Sequence, residues 1–103
     1  NNIKYIIALN NESLLDIAKK LDMGLWQLYK YNNVPKNYEI SEGQVIFLQP
    51  KRNKAKTKTH KVIKGETWWS ISQLHGIKLK KLKSKNKLII NNNLTPGDTL
   101  KLR

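Results

Sequence analysis

The chain has 103 residues, 20 of them Lys or Arg and 7 Asp or Glu, for a formal net charge of +13. It has no cysteine, which excludes a disulfide framework, and no apolar run near the ~18 residues that a membrane span needs. It shows neither an initiating methionine nor a signal peptide, so it is expected to be a piece of a longer protein.

In chain order, Ile3 to Leu9 is a β-rich apolar run followed by the turn-formers Asn10-Asn11. Ser13 suits a helix N-cap, where its hydroxyl can accept one of the first unpaired amides. Asp16 favours the positive end of the helix dipole. Leu14, Ile17, Ala18 and Leu21 then recur at helical spacing. Leu25, Leu28 and Tyr31 mark a second short helix, with Asn32-Asn33 at its end. Glu42-Gly43 makes a turn before the strand Val45 to Leu48. Lys51 to Thr59 carries five basic residues and almost nothing to bury, and reads as a solvated, flexible linker spanning roughly 17 Å.

The same order then returns. His60 to Ile63 reads as a strand, Lys64-Gly65 as a turn and Thr67 as an N-cap. Trp68, Ile71, Ser72 and His75 form a helix face stopped by Gly76. Ile77, Leu79 and Leu82 mark another helix, Pro96-Gly97 a turn and Thr99 to Leu102 a last strand. Sliding the second half back by 54 positions puts Glu66-Thr67 on Glu12-Ser13 without a gap. Ile71, Leu79, Leu82, Asn86, Gly97 and Leu102 then fall on Ile17, Leu25, Leu28, Asn32, Gly43 and Leu48. These matches sit where a small fold constrains its residues. The expected fold class is α+β: two βααβ modules, residues 3–50 and 60–103, joined by the basic linker 51–59. Each module pairs its two strands antiparallel and packs both helices on one face.

The charge is divided unequally. Residues 1–50 hold five basic and five acidic side chains, whereas residues 51–103 hold fifteen basic and two acidic ones. A task common to both modules therefore cannot rest on positive charge.

Lys64-Gly65-Glu66-Thr67-Trp68-Trp69-Ser70-Ile71-Ser72 resembles the opening of a LysM domain. Leu79-x-x-Leu82-x-x-x-Asn86 and Leu94-x-Pro96-Gly97-x-x-Leu100-x-Leu102 fit the rest of that pattern. The first copy is a more degenerate match that departs at Asn11, where the family usually has glycine. Asparagine tolerates positive φ, so the turn is expected to survive. The resemblance implies a module that binds glycans containing N-acetylglucosamine, such as peptidoglycan or chitin, in a shallow groove between two loops. In the second copy the groove would be Gly65, Glu66, Thr67 and Trp68 facing Leu88, Ile89, Ile90 and Asn91. In the first it would be Asn11, Glu12, Ser13 and Leu14 facing Val34, Pro35, Lys36 and Asn37. Loop amides and carbonyls can serve the acetamido group, and Leu88, Ile89 or Trp68 its apolar methyl and ring faces. The resemblance further implies a secreted or cell-envelope location, as the attaching part of a larger exported protein such as a glucosaminidase or amidase. A monomer is expected.

Plainer readings apply to several residues. Trp69 is expected in the core, Trp68 as groove wall or core, and Trp26 as cover for the small core ahead of the alternative, an exposed contact. Glu12 and Glu66 read as supports of the helix start rather than general acids. His60 and His75 lack metal-ligand spacing, and no nucleophile–base pair or phosphate-cradling loop is present, so no catalytic residue, metal or cofactor is expected. Lys78, Lys80, Lys81, Lys83, Lys85 and Lys87 read first as a solvated face. Their functional reading is contact with an anionic polymer such as teichoic acid, lipopolysaccharide, an acidic glycan or nucleic acid.

Overall fold

The computed structural model describes residues 1–90 and 93–103. The chain falls into two compact units, Asn2–Lys51 and Arg52–Arg103, the latter joined by Asn1. The first unit runs β1 (Tyr5–Ile7), α1 (Leu14–Lys20), α2 (Leu25–Asn32) and β2 (Val45–Phe47). The second runs β3 (Thr59–Lys61), α3 (Trp68–His75), α4 (Leu79–Lys85), α5 (Lys87–Ile90) and β4 (Thr99–Lys101). Each unit has one antiparallel strand pair: Tyr5 faces Phe47 in the first, Thr59 faces Lys101 in the second. The architecture is thus α+β, as the pattern predicts, with strands shorter than the apolar runs.

The helices start where their caps dictate. Ser13 Oγ accepts the Asp16 amide at 3.1 Å while the Asp16 carboxylate accepts the Ser13 amide at 2.9 Å. In the second unit Thr67 and Ser70 do the same at 3.0 and 2.8 Å. Serine thus does at 70 what aspartate does at 16, and a capping box is closed in both copies. The reciprocal bonds hold the Asp16 carboxyl below its ordinary range.

Each core is a single cluster. Ala8, Leu14, Ile17, Ala18, Leu28 and Ile46 fill the first, and Ala55, Val62, Ile71, Ile77, Leu82, Leu100 and Leu102 the second. A buried asparagine ties helix to strand in each. Asn32 donates to the Leu28 and Phe47 carbonyls at 2.9 and 3.0 Å and accepts the Phe47 amide at 2.7 Å. Asn86 repeats this on Leu82 and Lys101 at 2.8, 2.9 and 2.7 Å.

Three expectations need correction. The segment after Lys51 is not free chain from end to end. Arg52 bridges Ile77, the Ala55 amide donates to the Leu102 carbonyl at 2.8 Å, and Ala55 is buried in the second core. Alanine is small enough to enter that core between exposed lysines. Trp69 lies only half-buried and outside the core cluster, whereas Trp68 packs partly against it. Trp26 is 64% exposed; its position corresponds to Lys80, on the outer face of the helix.

Candidate functional site

In the second unit the loop between β3 and α3 is set by three fixtures. Gly65 takes φ +89°, which a side chain would strain. Glu66 Oε1 accepts the Ile63 amide at 2.8 Å, closing the turn behind the glycine, and the capping box holds Thr67. His60 Nε2 also donates to Glu66 Oε1 at 2.8 Å. That bond, ahead of the Ile63 amide, keeps the Glu66 carboxyl below its ordinary range. A carboxylate committed to two donors is a brace for the loop, as the plainer reading expects, and is poorly suited to donate a proton.

Gly65 and Thr67 are exposed and Glu66 is half-buried. Trp68 and, from α5, Ile89 both pack partly against the second core, together with Leu94. Leu88 beside Ile89 is 97% exposed. Ile90 ends α5, and Asn91 lies outside the described residues. The two sequence-predicted loops of this module are therefore anchored on one cluster, with an apolar side chain left open to solvent on the second of them.

In the first unit Asn11 takes φ +61° where the second has glycine, so the turn survives the replacement. Glu12 braces it by accepting the Leu9 amide at 3.0 Å and pairs with the Lys20 ammonium at 3.5 Å. Ser13 is exposed as the cap. Leu14, however, is only 3% exposed and belongs to the core, so its side chain has no face to offer a ligand. Across from this loop Val34 packs partly against the same core, while Pro35, Lys36 and Asn37 are exposed and Asn37 takes φ +66°.

Sequence reasoning missed two features here. One is α5, which carries Leu88 and Ile89. The other is the pairing of His60 with Glu66 and, through its second nitrogen, with His75. Only the strand alternation that turns His60 inward beside Leu100 hinted at it. Among the described residues no group of three or more His, Cys, Asp or Glu is placed to hold a metal, and no helix is long and apolar enough to cross a membrane.

No curated protein matches the chain. Among solved structures it is similar to the spore cortex-lytic enzyme SleL of Bacillus cereus, with 21% identity and a TM-score of 0.43 over 98% of this chain and 22% of that one. SleL of Bacillus megaterium QM B1551 gives 18% identity and a TM-score of 0.42 over 96% and 22%. The chain thus spans 22% of the length of either enzyme. The family model for the LysM domain matches twice, at residues 6–49 and 60–103. Both matches fall on the repeated units with their shared caps, braces and asparagine ties, and the chain belongs to the LysM domain family, of which it carries two copies.

Proposed function

We propose that this chain is a binding region that recognises N-acetylglucosamine-containing glycans, with peptidoglycan first among them, and attaches a larger exported protein to the cell wall. A cell-wall hydrolase is the natural parent. The observation that carries the reading is the second module's pair of loops on one core: a rigid turn at Gly65–Thr67 and, from α5, the exposed Leu88 next to the anchored Ile89. An N-acetyl sugar is neutral, with an amide to hydrogen-bond and apolar faces to cover, and such loops supply both kinds of contact. The first module keeps the turn but has Leu14 where the second has Trp68 and, in place of the open Leu88, Val34 packed partly against its core, so it is the weaker binder of the two.

The test is a titration of ¹⁵N-labelled protein with chito-oligomers at about 150 mM salt. Amide shifts centred on Gly65–Trp68 and Leu88–Ile89 are expected, with smaller ones at Asn11–Leu14. Absence of any shift with chito-oligomers and with soluble peptidoglycan fragments would refute the reading.

A second reading draws on charge. Lys78, Lys80, Lys81, Lys83, Lys85 and Lys87 surround α4 and α5, and among the described residues none of them has a carboxylate within ion-pair distance. A polyanion such as teichoic acid or nucleic acid would be held there by counterion release. Its affinity should collapse between about 50 and 200 mM salt, which a neutral sugar would barely notice.

A further inference from the structure

The second module contains a hydrogen-bonded chain that the first lacks. Thr57 Oγ1 lies 3.5 Å from His75 Nδ1, His75 Nε2 lies 2.9 Å from His60 Nδ1, and His60 Nε2 lies 2.8 Å from Glu66 Oε1. The carboxylate at its end also holds the Ile63 amide, so the chain terminates in the brace of the candidate sugar-binding turn. The rings meet edge to face, 4.9 Å between centroids. The side chains of His60 and Glu66 are 14% and 16% exposed.

Proton counting fixes what this chain can hold. With both rings neutral, His60 donates to Glu66 and accepts from His75, which accepts the Thr57 hydroxyl proton. One added proton fits: it sits on His75 Nδ1 and points at the Thr57 oxygen, or shifts along the chain to His60 beside the carboxylate. A second does not fit. Both nitrogens across the 2.9 Å gap would then carry hydrogens, and two donors cannot share one hydrogen bond. The rings must part, and His60 can no longer be held both by its neighbour and by Glu66.

Burial and the pairing of the rings oppose double protonation too. Glu66, from the turn, is the one carboxylate in this hydrogen-bonded set, and Asp98, just before the last strand, accepts the Thr95 amide instead. α3 brings no charged residue besides His75, Lys61 and Lys101 alternate with the inward His60 and Leu100 and so lie on the outer face of the strands, and Lys56 and Lys58 flank Thr57. Burial first, then the neighbouring His60, already hold the His75 ring below its ordinary range, against the pull of Glu66.

We propose that Thr57, His75, His60 and Glu66 form a proton-limited latch on the second module's glycan-binding turn, so that this module releases its glycan in acid while the first does not. His60 and His75 act here as positioning residues. The inference rests on the glycan reading above and assigns a regulation to the same site. The repeat supplies an internal control: at the positions of Thr57, His60 and His75 the first module has Ile3, Ile6 and Leu21, none of which titrates.

The experiment follows the full chain by NMR from about pH 7.5 to about pH 5, across the range where histidine charge changes. Without ligand, the imidazole nitrogens should titrate in two separated steps, and the Ile63–Thr67 amides should move with the second. With a chito-oligomer, the second module should bind at least about fivefold more weakly at the lower pH, half a decade or more of coupling. The first module should change little. In His75→Leu, the residue that the first copy uses, and independently in His75→Gln, the ratio of affinities at the two pH values should fall to that of the first module. One unsplit titration, or turn amides that ignore it, overturns the latch even if sugar binds. Equal sugar affinity at both pH values overturns it as well. Split steps with moving turn amides but no binding at any pH uphold the proton-limited brace and defeat the glycan reading instead.

Discussion

Asn32 and Asn86 show how one side chain can hold a module of this size together. Each spends both amide hydrogens and its oxygen on the backbone of its own helix and of the last strand, at 1% and 6% exposure. Removing such a group strands a buried amide and two carbonyls, and each unsatisfied group costs about 1–3 kcal/mol. Asn86→Ala should therefore destabilise the second module by about 3 kcal/mol, measured by hydrogen exchange at the Ile71 and Leu82 amides. A loss below about 0.5 kcal/mol, the range of an ordinary surface change, would show that the clip is idle. Leu88 is the opposite case. At 97% exposure it contributes nothing to the core, so Leu88→Ala should leave stability within about 0.5 kcal/mol and still weaken binding of chito-oligomers several-fold. Unaltered affinity in that variant would remove Leu88 from the site. The repeat made the paired asparagines visible as matched positions, but a sequence names no partner. Asn32 reads as a helix end and Asn86 only as its match, and the strand they grip became legible only in the fold.

Among the elements, those with chemical punctuation were legible. Ser13 and Thr67 begin helices as their hydroxyls predict, and Gly76, at φ +64°, ends one. Ser13→Ala, which breaks the first capping box, should cost the first module about 1 kcal/mol. Chemical denaturation followed at Ile17 and Leu28 reads this out, and an unchanged midpoint would contradict the cap. What carried no punctuation was missed. α5 is a four-residue helix, and Asn86 just before it spends its side chain on Leu82 and Lys101. Its existence depends on how the preceding helix ends. α2 closes on Asn33 in the left-handed region at φ +51°, and the Val34 amide turns back to the Tyr29 carbonyl at 3.1 Å. The matching residue of the second module is Lys87. Lysine disfavours that conformation, so the chain continues into another helical turn and carries Leu88 outward. The tryptophans failed for a related reason. Amphipathic spacing distinguishes an inner from an outer face, but it does not settle which of two adjacent aromatics points inward, and Trp68 rather than Trp69 does so.

At the scale of the whole chain the two modules share a fold and differ in charge and in titration. The neutral first half and the strongly basic second half follow directly from composition, as does the argument that a shared task cannot rest on positive charge. Their different response to acid does not, because it depends on which groups meet. In the second module the His75 ring is held below its ordinary value of 6.5 and the Glu66 carboxyl below 4.5. For both groups the unfolded chain takes up a proton at a higher pH than the folded one. Stability is therefore full above pH 6.5. It declines as pH falls through the histidine range, and declines again below 4.5 as Glu66 loses its bonds to His60 and Ile63. In the first module Asp16 is held below 3.8 by its bonds to Ser13, and Lys51, which burial lowers to about 8, takes up its proton above the histidine range, so that module should keep its stability until the solution is markedly more acid. A single melting temperature would average over the two modules. Residue-resolved hydrogen exchange separates them: between pH 7 and pH 5, after correction for intrinsic rates, protection at Ile71 and Leu82 should fall while protection at Ile17 and Leu28 holds. Parallel loss in both modules would place the acid sensitivity outside the histidine pair, and no loss in either would mean that the folded second module accepts protons as readily as the unfolded chain.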